Sequence, residues 1–141
     1  GQMMVRVTVE DMINELQGVS RDEAAVLDDP LLRDELVRAV MEEKSQILGV
    51  RRGAIPGLSS DYPGSLLLSG KLRMSESTRR MRQLAIKLQG AEGALYVGDE
   101  EARQGGFWQR AYLNSFSSTI GGGTSQVQTN IVAEHVLGLP K

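Results

Sequence analysis

Apolar residues recur along this chain every three to four positions, and clusters of Gly, Pro, Asp and Ser separate the runs. Residues 4–16 open ambiguously, because Val5, Val7 and Val9 alternate as in a strand while Val9, Met12, Ile13 and Leu16 share one helical face. The helical reading over residues 4–16 accounts for more of these positions. Gly18-Val19-Ser20 breaks it, and Asp28-Asp29-Pro30 is a start signal, an acidic cap followed by proline at the first helical position. From there Leu32, Leu36 and Val40, joined by Val37, Met41 and Leu48, form an apolar stripe that carries a second helix to about Val50. RRGAIPGLSSDYPGS, residues 51–65, has the Gly, Pro and Ser density of an ordered connecting loop.

A third helix is predicted over residues 66–89, with Met81, Leu84, Ala85 and Leu88 on one side and Arg79, Arg80, Arg82 and Gln83 on the other. Gly90 ends it, and residues 90–106 form a glycine-punctuated connection with room for a short turn. Residues 107–120 read as a fourth helix that frays through its Ser and Thr residues. The last helix begins near Ser125, where Ser125 and Gln128 have capping-box spacing, and stops at Gly138-Leu139-Pro140. With no internal repeat and no strand-helix-strand alternation, the pattern predicts an all-α, up-and-down bundle of four to five helices, one domain over residues 1–141.

Composition narrows the function classes. The chain has 141 residues, 40% of them hydrophobic, which is enough apolar mass for one core. Its 16 Lys and Arg are interleaved with 18 Asp and Glu, so nothing points to a nucleic-acid surface. The absence of cysteine excludes a disulfide scaffold and thiolate metal sites, and it fits a reducing, cytoplasmic setting. No apolar run approaches the roughly 20 residues of a membrane span, and no signal-like segment opens the chain. The first residues, Gly1-Gln2, fit a processed end, a tag remnant or a domain taken from something longer.

Conventional catalytic groups are sparse. The single histidine, His135, falls near the end of the last helix, where a cation beside a helix C-terminus or a partly packed side chain explains it better than a triad does. Glu42-Glu43 and Asp99-Glu100-Glu101 have no histidine partners and read as solvated faces, not metal sites. Met3-Met4, Met74 and Met81 read as gap-filling residues. Gly121-Gly122-Gly123 is not a Walker loop, since no lysine follows it. By residue type it is either a flexible turn or a cradle that offers backbone N–H groups and the positive end of the following helix to a phosphate or a flavin edge.

IGGGTSQVQTNIVAEHVLGLP, residues 120–140, resembles the C-terminal signature of the acyl-CoA dehydrogenase family, in which a Gly-Thr-Ser-Glu/Gln-Ile-Gln segment leads into a last helix ending Leu-Gly-Leu-Pro. DDPLLRDELVRAVMEEKSQIL and GSLLLSGKLRMSESTRRMRQLAIKLQGAEG resemble, more weakly, the second and third helices of that family's C-terminal bundle. The resemblance implies the last domain of a longer flavoprotein that uses FAD to dehydrogenate an acyl-CoA thioester, of fatty or steroid-side-chain type, between its α and β carbons. It implies flavin contacts at Gly121, Gly122, Gly123, Thr124 and Gln126, with Thr124 near the isoalloxazine and Gln126 toward the adenosine side. It further implies assembly into homo- or hetero-oligomers of dehydrogenase subunits.

Three departures from the family pattern stand out. Many members carry the catalytic glutamate immediately before the Gly-Thr pair, and here that position is Gly122, so no catalytic residue is expected in this chain. Lys87 and Gly90-Ala91 stand where a glutamine and Gly-Gly commonly contact the FAD of a neighbouring subunit, and an Arg-x-x-Phe-Gly segment is missing. Three readings follow: the cofactor-closing domain of an active dehydrogenase, a non-catalytic partner subunit of a heteromeric one, and a helical interaction bundle without flavin.

Overall fold

The computed structural model describes residues 7–17, 19–21, 24–58 and 65–140. Among them five α-helices run in the order α1 (Val9–Leu16), α2 (Pro30–Gly53), α3 (Ser65–Leu88), α4 (Phe107–Ile120) and α5 (Ser125–His135). The all-α class and the helix count agree with the sequence pattern. One small addition does not: β1 (Ser20–Arg21) and β2 (Ala24–Ala25) pair antiparallel, Ser20 opposite Ala25.

Helix ends follow the local chemistry more closely than the apolar period did. α1 begins at Val9 and not at residue 4, because Thr8 caps it in a reciprocal box: the Thr8 hydroxyl accepts from the Asp11 N–H at 3.1 Å and the Asp11 carboxylate accepts from the Thr8 N–H at 2.8 Å. Residues 4–6 of the expected helix, with Met3, lie outside the described residues. Asp29 caps α2 as expected, accepting from the Leu31 and Leu32 N–H groups with Pro30 at the first helical position. α2 runs past Val50 to Gly53, with Arg51 and Arg52 placed against the negative end of its dipole. α3 spans Ser65–Leu88 within one residue of expectation at each end.

The glycine-punctuated connection holds two 3-10 turns, Gly90–Ala94 and Arg103–Gly106. In the second, Gln104, Gly105 and Gly106 are all left-handed, at φ 49°, 59° and 75°, and this reverses the chain into α4. α4 does not fray at its hydroxyls. Ser115, Ser117, Ser118 and Thr119 each donate to the carbonyl three residues earlier, at 2.5 to 2.8 Å, and the helix continues to Ile120.

α3 is the hub, packing against α2 on one side and against α4 and α5 on the other. Val9 and Met12 of α1, Leu32 and Leu36 of α2, Leu84, Ala85 and Leu88 of α3, and Trp108 of α4 meet in one buried cluster with Val19. Leu32 and Leu36 are buried, whereas Val37, Met41 and Leu48, placed on the same stripe in the sequence reading, are more than half exposed. A stripe wider than one neighbour can cover leaves its edge in solvent. The polar side of α3 is divided between neighbours: Arg80 and Lys87 pair with Glu42 and Glu35 of α2, while half-buried Arg82 donates to the Ala111 carbonyl of α4 at 3.0 Å. Burial holds the Arg82 guanidinium below its ordinary range.

Candidate functional site

The site is the turn between α4 and α5. Gly121 is extended, at φ −60° and ψ 131°, and closes α4 by donating its N–H to Ser117 O at 2.8 Å. Gly122 and Gly123 are left-handed, at φ 70° and 100°, a region where a side chain is strained. Gly123 has no room either, since a Cβ there would lie 2.9 Å from Gln128 Nε2. A Cβ at Gly122 would meet only Lys71 Cε, at 4.0 Å.

The turn offers fewer bare amides than its composition suggested. The Gly121 N–H is used within α4, and the Gly123 N–H donates to Ile120 O at 3.1 Å. Two carbonyls are instead gripped from outside: Gln128 Nε2 donates to Gly122 O at 2.7 Å, and Lys71 Nζ, from α3, donates to Gly123 O at 2.5 Å. The cap of α5 is also one residue earlier than its Ser-x-x-Gln spacing implied. Thr124 is the N-cap, its hydroxyl accepting from the Val127 N–H at 3.3 Å, while the Gln128 side chain folds back to the turn. Ser125 Oγ donates to Glu76 Oε1 of α3 at 2.5 Å. That bond, aided by Arg79 at 3.1 Å, holds the Glu76 carboxyl below the usual range against the opposing pull of burial. Arg79 in turn lies 5.7 Å from the Phe116 ring centroid, tying the same patch to α4.

Gly121, Gly122, Gly123, Thr124 and Gln126 are therefore contiguous, with Gly121, Gly122 and Gln126 exposed and Gly123 and Thr124 half-buried. The first-turn amides of Ser125 and Gln126 have no acceptor within α5. Lys71, Glu76 and Gln128 were missed as site residues. For Lys71 and Glu76 the available signal was the helical spacing of Lys71, Ser75, Glu76, Arg79 and Arg82 along one side of α3. No side chain of the turn is a carboxylate or an imidazole, and His135 is the exposed last residue of α5.

The other candidates have structural work. Asp99, Glu100 and Glu101 are exposed, as expected of a solvated face, with Asp99 accepting from the Glu101 N–H at 2.9 Å, whereas half-buried Glu42 pairs with Arg80 and half-buried Glu43 accepts from the Val9 N–H at 3.3 Å. Among the described residues no group of three or more metal-ligating side chains gathers. Met81 is half-buried against the core and Met74 is exposed. An open groove of about 1160 Å³ runs between α2 and α3, with Val9, Ala39, Ile47, Met81 and Leu84 on its walls, on the opposite side of α3 from the turn.

A family model for the C-terminal domain of acyl-CoA dehydrogenases matches residues 2–137. The chain belongs to the acyl-CoA dehydrogenase family. Within the family this domain is 35% identical over 114 residues to acyl-CoA dehydrogenase IpdE1 of Mycolicibacterium smegmatis, covering 81% of this chain and 27% of that protein. It is 36% identical over 120 residues to IpdE1 of Mycobacterium tuberculosis, covering 83% of this chain and 29% of that protein. Its fold is shared with the ChsE4-ChsE5 complex of Mycobacterium tuberculosis, at TM-score 0.77, 20% identity and coverage of 94% of this chain and 34% of that one. The Tcur3481-Tcur3483 steroid acyl-CoA dehydrogenase follows at TM-score 0.75 and 22% identity, with 94% of this chain and 33% of that one covered. The domain thus spans about a third or less of each relative's length. No helix among the described residues is long and apolar enough to cross a membrane.

Proposed function

We propose that this domain closes the flavin site of an FAD-dependent acyl-CoA dehydrogenase, acting in the cytoplasm on a fatty or steroid-side-chain acyl-CoA, and supplies an oligomer interface. The observation that carries this reading is the turn itself: an exposed, side-chain-free edge at Gly121 and Gly122, with the Gly122 and Gly123 carbonyls held by Gln128 and Lys71. A flat ring fits against such an edge, because a side chain at Gly122 would stand in otherwise open space. Thr124 keeps a hydroxyl proton to donate, and the Ser125 and Gln126 amides add the positive end of α5.

The flavin, when bound, supplies the hydride acceptor for the β carbon. What this chain's residues do is bind and orient: Gly121, Gly122 and Gly123 admit the backbone to close range, Thr124 and Gln126 offer polar contacts, and α3 braces the turn. No residue of the turn removes the α proton. Gly122 has no side chain, and the Thr124 hydroxyl is a far weaker base than a carboxylate at neutral pH. We assign that proton to a carboxylate elsewhere in the complete dehydrogenase.

The second reading, a non-catalytic partner subunit, is favoured by the same missing carboxylate and by structural relatives named for two different subunits. The complete protein, expressed alone and with a candidate dehydrogenase subunit from the same organism, separates the two by flavin absorbance and acyl-CoA dehydrogenation. Activity alone establishes the first reading, activity only in the mixture establishes the second, and absence of flavin from both preparations refutes both.

A further inference from the structure

We infer that Lys71 is a positioning residue for the glycine turn, which aims the Thr124 amide outward by holding the Gly123 carbonyl inward. The two atoms belong to one peptide unit. A trans peptide points its C=O and the following N–H in opposite directions, and no cis bond occurs among the described residues. The Lys71 ammonium sits 2.5 Å from Gly123 O, so the Thr124 N–H is turned to the side of the plane away from α3. Gln128 treats the preceding unit in the same way, binding Gly122 O at 2.7 Å.

Such a brace is needed because Gly122 and Gly123, at φ 70° and 100°, sit where glycine has wide freedom; the Gly123 N–H bond to Ile120 O helps to fix the Gly122–Gly123 plane, and the Lys71 bond holds the Gly123–Thr124 plane. A cation on a carbonyl does a second thing. It polarises the peptide unit and makes the opposite N–H a stronger donor. Lys71 reaches the turn from α3 across 52 residues of sequence, and its Cε lies 4.0 Å from where a Cβ on Gly122 would stand. The partner this geometry suits is an electron-rich acceptor edge lying on the turn, and its identification with flavin rests on the reading above.

The test uses Lys71→Met, which keeps the stem and removes the donor, and Lys71→Arg, which restores a cationic donor. In the 141-residue chain, Lys71→Met should move the amide nitrogen and proton resonances of Thr124 and Gly123 well beyond those of Leu36 on the far side of α3, and Lys71→Arg should return them most of the way. Unmoved Thr124 and Gly123 resonances overturn the inference. Lys71→Gln, too short to span the gap, serves if the methionine variant does not fold. In the complete flavoprotein, Lys71→Met should raise the FAD dissociation constant about tenfold, equivalent to about 1.4 kcal/mol. Resonances that move while flavin affinity and the flavin spectrum stay unchanged support the positioning role and count against flavin as the turn's ligand.

Discussion

The indole N–H of Trp108 donates to the Glu15 carboxylate at 2.9 Å, joining α4 to α1 across 93 residues of sequence. Trp108 is 1% exposed, so this bond anchors a side chain that is otherwise sealed in the core. Trp108→Ala should cost about 3–5 kcal/mol in urea unfolding. Glu15→Gln keeps an acceptor and should cost under about 1 kcal/mol, whereas Glu15→Leu leaves a buried N–H unpaired and should cost about 1–3 kcal/mol. Equal stability of the two Glu15 variants would show that the bond contributes nothing.

Much of the fold was legible because helix signals are local. Asp29-Pro30 marks the start of α2 within four residues of sequence, and Leu84, Ala85 and Leu88 declare the buried face of α3 within two turns. α1 was legible from Val9, Met12, Ile13 and Leu16, but its start was placed too early because the apolar positions run on through its cap at Thr8. The site was legible only in part. The glycine run announces a turn, but nothing local says that Lys71 will reach Gly123 from 52 residues away, or that Ser125 will spend its hydroxyl on Glu76, 49 residues away, and not on its own helix. Thr124 and Ser125 offer the same cap chemistry one residue apart, and only the position of α3 decides between them.

Three glycines should rank by what their missing Cβ would strike. Gly106→Ala puts a methyl 2.7 Å from the Val97 backbone nitrogen, which cannot move aside, in addition to its φ of 75°. Gly123→Ala meets the Gln128 amide at 2.9 Å, which can yield by releasing Gly122 O. Gly122→Ala bears only the left-handed backbone cost of about 1 kcal/mol. Thermal melts should therefore fall most for Gly106→Ala, less for Gly123→Ala and least for Gly122→Ala. A Gly122→Ala variant as damaged as Gly106→Ala would mean that the turn's outer edge is covered.

The Glu76 carboxyl titrates below its ordinary value of 4.5 in the folded chain, chiefly because Ser125 donates to it. The unfolded chain then binds more protons between the two values, so this group stabilises the fold above the unfolded value and the contribution is lost as pH falls through the folded one. Ser125→Ala should lower stability at neutral pH, and the gap to the parent should close in acid. Urea midpoints measured from about pH 7 down to about pH 3 follow this directly. A gap that persists unchanged at the acid end would place the effect of Ser125 outside Glu76.

The apolar stripes of α2 and α3 are unequally available for association. Leu84, Ala85 and Leu88 are core and unavailable, while Val37, Met41 and Leu48 are 51%, 65% and 59% exposed along one side of α2. These residues share one helical side, interrupted by exposed Lys44 and Ser45, and form an apolar patch suited to a neighbouring subunit. The chain should self-associate in sedimentation velocity, and Met41→Glu should shift it toward the monomer. A concentration-independent monomer for the unmodified chain would remove α2 as an interface.

The central place of α3 has a consequence for how the protein is made. A ribosome delivers the chain from its N-terminal end, and α1 and α2 emerge carrying Val9, Met12, Leu32 and Leu36 before the residues that cover them exist. Those partners, Leu84, Ala85 and Leu88, sit in the last turns of α3, and Trp108 comes later still. The first half of the domain therefore waits as a nascent, oily pair of helices until synthesis has passed Trp108, the interval in which a holding chaperone has a substrate and a premature stop leaves an aggregation-prone stub.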